Sequence, residues 1–206
     1  MSLDSDIARI ARQEEELRFE RFGEEDAWAL GSLMRQVAAE RKLPLVIDIR
    51  IGNRPLFYTA LPGTTPENPD WVRRKVNTVY RFHKSSYRVG REHALSGKAF
   101  DATRGMDPMD YAPAGGGFPI HLRGTGVIGA VTVSGVPLRE DHGFVVEMLC
   151  RFLNIDHALL ALPPETDLWS SALSSSRWLP QPPSSWVRRR AGCRWWACSA
   201  CRCWRW

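Results

Sequence analysis

No stretch of this 206-residue sequence approaches the roughly 18 consecutive apolar residues that a membrane span requires. The N-terminus, MSLDSDIARIARQEEELRF, is mixed in charge and lacks the apolar centre of a secretory signal. Cysteine is scarce as well. Cys150 is the single thiol of residues 1–160, which excludes a disulfide framework within that body and fits a reducing compartment. A cytoplasmic protein without a membrane span is therefore expected. The body also lacks an excess of either charge: seven arginines and two acids beyond residue 157 account for the whole formal charge of +5. A basic surface for nucleic acid is accordingly not expected there. Signatures of catalysis are missing too. Ser134 stands in VSG rather than in a strand-to-helix G-x-S-x-G elbow, and no carboxylate pair is singled out by spacing. No metal-ligand motif occurs in the body.

What is present is a regular alternation of elements. Ser5 is a candidate cap for a helix over 6–16, with Ile7, Ile10, Ala11 and Leu17 on one stripe. LRFERF alternates apolar and charged residues as a half-exposed strand does. Glu24, Glu25 and Asp26 suit the positive end of a following helix, whose apolar face is Trp28, Leu30, Leu33, Met34, Val37 and Ala38. LVIDIRI and RPLFYTAL read as a hairpin turned at Gly52-Asn53, a pair suited to positive φ. Asp48 and Arg50 alternate with its apolar residues, so that face is expected to be solvated or functional.

After the turn-rich LPGTTPENPD, Trp71 opens a helix carrying Val72, Val76, Val79, Tyr80 and His83 at helical spacing, decorated by Arg73, Arg74 and Lys75. A second helix is expected over 85–95. GKAFDATRGMDPMDYAPAGGG is a long connection, expected to lie over a pocket or an interface. In GGGFPIHLRGTGVIGAVTVSG the glycines open and connect two strands instead of leading into a helix, which argues against a phosphate cradle. Gly115, Gly116 and Gly117 let the chain enter the sheet, and Gly129 inside a strand suggests close approach of another backbone or ring. A last helix begins near Leu138. Five strands and their helices give an α+β domain with an antiparallel sheet.

From Leu162 the composition shifts to Trp, Arg, Ser, Pro and Cys, ending RRRAGCRWWACSACRCWRW, and seven of the nine tryptophans lie there. A packed domain needs no such bias. Translation of a GC-rich gene in a shifted frame is one explanation. Cys193, Cys198, Cys201 and Cys203 are too crowded for the two separated knuckles of a structural zinc site. A basic-aromatic tail for nucleic acid or membrane is a further reading. Residues 161–206 are taken as a disordered or frameshifted tail and 1–160 as the domain.

The runs DYAPAGGGFPI, GTGVIGAVTVSGVP and EDHGFVVEML together resemble the haem-degrading-domain superfamily, which includes the HbpS and GlcG proteins. FGEEDAWALG, the LVIDIRIGNRPLFYTALPG hairpin and NPDWVRRKVNTVYRFHKSSY are similar to its cytosolic branch, uncharacterised protein family 0303. The resemblance spans about residues 15–157. It implies a five-stranded antiparallel sheet flanked by helices in a profilin-like, three-layer arrangement, assembled as a homo-oligomer. It also implies a small ligand, with haem or another tetrapyrrole as the possible cofactor. The alternative it carries is a non-enzymatic interaction or chaperone-adaptor protein, since a fungal relative is linked to a chaperone pathway for tail-anchored membrane proteins. The chain departs from the pattern at Pro113-Ala114, where many relatives are expected to carry a His before the glycine run.

A haem needs an axial ligand such as His, Cys, Met or Tyr. His83, His93, His121, His142, Met106 and Met109 are the candidates. His83 reads as a partly buried structural histidine on an apolar helix face. His142 is expected to hydrogen-bond nearby backbone beside the dipole-complementing Glu140 and Asp141, while His121 reads equally as structural or functional. Arg74, Lys75, Asn77, Arg81, Ser85 and Ser86 form a polar concentration, either a solvated or oligomer-contact face or a site for a small anionic ligand whose carboxylates would suit Arg74 and Arg81. The ligand-binding set is thus Arg74, Arg81, His83, Ser85, Ser86, His121 and His142. Cys150, on the apolar side of the last helix, reads as an inert buried thiol.

Overall fold

The computed structural model describes residues 2–98 and 100–163. Helix α1 (Leu3–Glu16) starts one turn earlier than its sequence suggests, because Ser2 supplies the cap and its Oγ accepts the Ser5 N–H at 3.3 Å. Helix α2 (Glu24–Glu40) opens on three acids, and the Asp26 carboxylate accepts the Gly23 N–H at 2.9 Å. Its buried stripe runs through Ala27, Leu30, Met34, Val37 and Ala38. Trp28, expected on that stripe, falls about 100° away from Ala27 and stays 64% exposed, with its ring edge on Phe57.

Four antiparallel strands follow, β1 (Val46–Ile51), β2 (Arg54–Ala60), β3 (Gly117–Leu122) and β4 (Gly126–Ser134), in the order β2-β1-β4-β3. Helix α3 (Glu67–Phe82) begins inside the segment expected to be a linker, α4 (Ser86–Ser96) follows after a short turn, and α5 (Leu138–Leu153) comes last. Alternation along the strands divides the side chains between two cores. Ile47, Ile49, Phe118, Ile120, Val131 and Val133 join α2 and α5 in the larger one. Val46 and Ala130 meet Val72, Val76 and Val79 of α3 on the opposite face. The sheet is therefore the middle of three layers, with α1 against α4 beside it.

The expected fifth strand is reduced to one bridge among the described residues. Phe19 pairs in parallel with Leu122, donating to the His121 carbonyl and accepting from the Arg123 N–H, both at 2.9 Å. Strand alternation would turn Phe22 away from the core if Phe19 faced it. Both rings are buried and meet edge to face at 4.8 Å, so the chain bends after Phe19 instead of extending. The hairpin stands where its sequence places it, with Gly52 at φ 54° and Asn53 outside the positive-φ region. The face bearing Asp48 and Arg50 is not solvated, because α3 lies over it. Asp48 is wholly buried and takes two Arg50 hydrogen bonds of 2.6 Å. Gly129 does admit a close backbone, since a Cβ there would stand 2.1 Å from the Arg50 carbonyl oxygen.

After a short 3₁₀ turn (His157–Leu159), residues through Pro163 remain pinned to the helices by backbone carbonyls. Arg9 donates to Leu159, Gln13 to Leu160, and Arg139 to Pro163. The expected tail and its cysteines lie, from residue 164 onward, outside the described residues. No described helix is long and apolar enough to cross a membrane.

Candidate functional site

The glycine run enters the sheet over a buried ion pair. Lys75 sits on the α3 stripe with Val72, Val76 and Val79, and only 1% of it is exposed. Its ammonium donates to Asp141 Oδ2 at 2.7 Å and to the Val133 carbonyl at 3.0 Å. Burial lowers the Lys75 pKa and raises that of Asp141, each offset in part by the partner. A Cβ on Gly116, at φ 116°, would stand 2.3 Å from the Val133 oxygen and 2.9 Å from the Lys75 nitrogen. Gly115 is pressed against the Leu138 carbonyl and Gly117 against Ser86 Oγ. That hydroxyl donates to the Ala114 carbonyl at 2.5 Å and accepts the Gly117 N–H at 3.0 Å. The cluster ties α3, β4, α4 and α5 to one loop, and its members are sealed from solvent.

A second polar group borders a cleft of about 380 Å³ between α4 and the start of α5. Tyr87, Arg91 and Ala94 line it from successive turns of α4, Pro113 from the loop before the glycines, and Leu138 and Arg139 from α5. Arg139 takes Asp6 bidentately, at 2.7 and 3.2 Å, and also donates to Tyr87 Oη at 3.3 Å. These contacts raise the Arg139 pKa, while Arg139 helps to lower that of Asp6 against desolvation. Arg91 lies over the Tyr87 ring at 4.7 Å, donates to its hydroxyl, and approaches Asp6 at 3.8 Å.

His142 lies beneath the Tyr87 ring, with 5.0 Å between centroids. Its hydrogen bond goes to a side chain of α1 and not to nearby backbone. Gln13 donates its amide to the Leu160 carbonyl at 2.7 Å, which turns Gln13 Oε1 toward His142 Nε2 at 2.8 Å. Nε2 therefore carries the proton, leaving Nδ1 a buried acceptor without a partner among the described residues. Burial, aided by Arg139, holds the ring neutral with a pKa of about 3.

The remaining residues of the sequence-derived set do not converge on one pocket. Arg74 stacks on Trp71 at 4.0 Å and pairs with Asp70, and Arg81 lies outward beside Tyr111. His83 is exposed: it ends α3 in the left-handed region at φ 52°, off the apolar face where it was expected. His121 is half-buried, and burial together with the charge of Arg18 lowers its pKa. The Ser85 hydroxyl caps α4 at Arg88, and its N–H donates to Glu14. His93 lies between the Phe82 and Phe100 rings, Met106 is buried, and Met109 is 71% exposed. Cys150 is buried, with its pKa raised to about 11, in keeping with an inert thiol.

Sequence reasoning passed over Tyr87, Arg91, Arg139 and Asp6 as site residues, put Lys75 in a polar concentration read as a solvated or oligomer-contact face or an anion site, and gave Asp141 to the helix dipole. A signal was available. Residues 72, 75, 76 and 79 share one helical stripe, residues 138, 141, 142 and 145 another, and 87, 90, 91 and 94 a third.

These features define a three-layer α+β protein with an arginine-lined, half-enclosed cleft beside a glycine-rich strand entry. The family model described as haem degrading protein HbpS-like matches residues 22–150. A UPF0303 protein of Rhizobium meliloti (strain 1021) is 51% identical over 162 residues, covering 79% of this chain and 99% of that one. The chain belongs to the HbpS-like family, among the relatives named UPF0303. The crystal structure of the Ybr137w protein is similar with a TM-score of 0.66 at 29% identity, covering 72% of this chain and 87% of that one. A crystal structure of a PduOC:heme complex shares the fold at a TM-score of 0.54 and 15% identity, over 66% of this chain and 97% of that one.

Proposed function

We propose that this chain is a cytoplasmic, homo-oligomeric small-ligand-binding protein whose ligand is haem or a related tetrapyrrole. The observation that carries this reading is the α4–α5 cleft, whose lining among the described residues includes Arg91, Arg139 and Tyr87 and no acidic residue, with Asp6 paired to the guanidiniums beside it, in a chain of the HbpS-like family. At about 380 Å³ it lies at the small end of ligand pockets, which run from about 300 to 1,000 Å³. A tetrapyrrole would enter by one edge. The cleft suits the acidic periphery of such a ligand better than its iron, since the lining offers no His, Cys or Met among the described residues and the Tyr87 hydroxyl is engaged by two guanidiniums. Haemin and iron-free protoporphyrin should therefore both give saturable shifts of the Soret band on titration with the full chain. Absence of a saturable shift with either would remove the reading.

A second reading, an interaction or adaptor protein, is favoured by a different surface. Strand β2 is a sheet edge, and Tyr58 within it and Trp28 against its Phe57 are 52% and 64% exposed. Homo-oligomerisation and partner binding both draw on such a surface. Sedimentation equilibrium distinguishes them: a monomer at micromolar concentration would withdraw the oligomer and leave this face to another protein.

A further inference from the structure

The hydrogen-bond count at Tyr87 bears on what the cleft receives. A guanidinium can only donate, so the contacts from Arg91 and Arg139 both fall on lone pairs of Tyr87 Oη. The hydroxyl must then direct its own hydrogen elsewhere. Tyr87 is only 4% exposed, its hydroxyl has no acceptor among the described residues, and it lines the cleft. A buried donor left unmatched costs about 1–3 kcal/mol, and a ligand oxygen in the cleft would remove that cost.

The surroundings narrow the ligand chemistry. Both guanidiniums are themselves paired, Arg139 with Asp6 and the Pro163 carbonyl and Arg91 with Asp6 at 3.8 Å, so they act on a ligand through the part of their field that Asp6 does not cancel. Ala94, Pro113, Leu138 and the Tyr87 ring make the other walls apolar. An oxygen acceptor bearing negative charge, attached to a flat apolar body, matches all three features.

We propose that the α4–α5 cleft is a carboxylate-recognition site, with the Tyr87 hydroxyl donating to a ligand carboxylate in the combined field of Arg91 and Arg139. The inference rests on the ligand-binding reading above and specifies its chemistry. It also moves recognition away from Arg74 and Arg81, which face elsewhere.

The test titrates the full chain with haemin, haemin dimethyl ester and benzoate, using wild type, Tyr87→Phe and Ala94→Trp. Tyr87→Phe keeps the ring over His142 and removes only the hydroxyl. Ala94→Trp plugs the cleft from an exposed position and touches none of its hydrogen bonds, so it carries the test if the first variant does not fold by circular dichroism. Both acids should bind, the ester at least tenfold more weakly than haemin, and each variant should weaken the acids at least tenfold. Haemin and ester binding alike, unaffected by the variants, would overturn the carboxylate site and leave the tetrapyrrole reading standing. Preference for the acid that neither variant alters would place recognition outside this cleft and overturn the proposal. Benzoate binding abolished by the variants, with no haemin binding, would keep the site and overturn the tetrapyrrole. Failure of every probe would overturn both.

Discussion

Lys75 completes a helical stripe with three valines yet ends in an ammonium enclosed by Asp141, the Val133 carbonyl and Gly116. Removing one partner leaves the other charge buried and alone, which typically costs about 3–5 kcal/mol. Lys75→Met should therefore lower stability to urea by about that amount, while Lys75→Met with Asp141→Leu should recover most of the loss. A double variant no more stable than the single one would show that the pair is needed for more than mutual neutralisation. His142 makes a separate prediction in pH. Its folded pKa of about 3 lies below the usual 6.5, so above pH 6.5 the ring is neutral in both states. As pH falls below 6.5 the unfolded chain binds a proton that the folded one refuses, and stability drops. Between pH 6.5 and 4.5 this amounts to about 2 kcal/mol at 1.36 kcal/mol per pKa unit. Wild type should lose that much more than His142→Gln over the same window in urea titrations. Equal slopes would mean that His142 is protonated in the fold. The ion pair was not legible in the residues themselves: a Lys among arginines reads as part of a polar helix face and an Asp beside a Glu as a dipole-complementing acid, and only their phase with the buried stripes marks them out.

At the scale of elements, the sequence located the five described α-helices and both hairpins because those signals are local. Period, acidic first turns and turn glycines act within a few residues of one another. What it misplaced depends on distant partners. LRFERF alternates like a strand, but whether it extends is decided by Phe22 finding the same core as Phe19. Asp48 looks like the wet side of a hairpin until α3 covers it. The close pairing of β1 with β4 was legible as an isolated glycine in a strand, and its energetic weight can be measured. Gly129→Ala would drive a methyl to 2.1 Å from the Arg50 oxygen across the two central strands, so it should cost at least about 2 kcal/mol. Gly143, inside α5 with no atom within 4 Å of its would-be Cβ, is the matched control: Gly143→Ala should stabilise by about 0.4–1 kcal/mol. Similar effects at the two positions, read from urea midpoints at unchanged slope, would mean that β1 and β4 can part without loss.

At the scale of the whole molecule, the question is where the cooperative unit ends. The proposed domain boundary near residue 160 rests on composition, whereas the contacts run slightly further. Leu160 is 1% exposed and joins the larger core, and its carbonyl fixes the Gln13 amide that in turn orients His142. The Pro163 carbonyl takes two donors from Arg139, the residue that also holds Asp6 and Tyr87 at the cleft. Residues 157–163 thus link α1, α5 and the α4–α5 cleft through main-chain oxygens, which side-chain patterns in the sequence do not reveal. A chain ending at Pro163 keeps all of these contacts and should melt within a few degrees of the full chain. A chain ending at Ile155 loses a buried leucine and leaves Gln13 and Arg9 without their carbonyl acceptors. With about 2–5 kcal/mol for the leucine and about 2–4 °C per kcal/mol at this size, its melting temperature should fall by roughly 10 °C. It should also bind benzoate more weakly, because Arg139 is no longer held from the Pro163 side. If the shorter chain melted and bound like the longer one, the segment would be a passive end and the cooperative unit would close at α5.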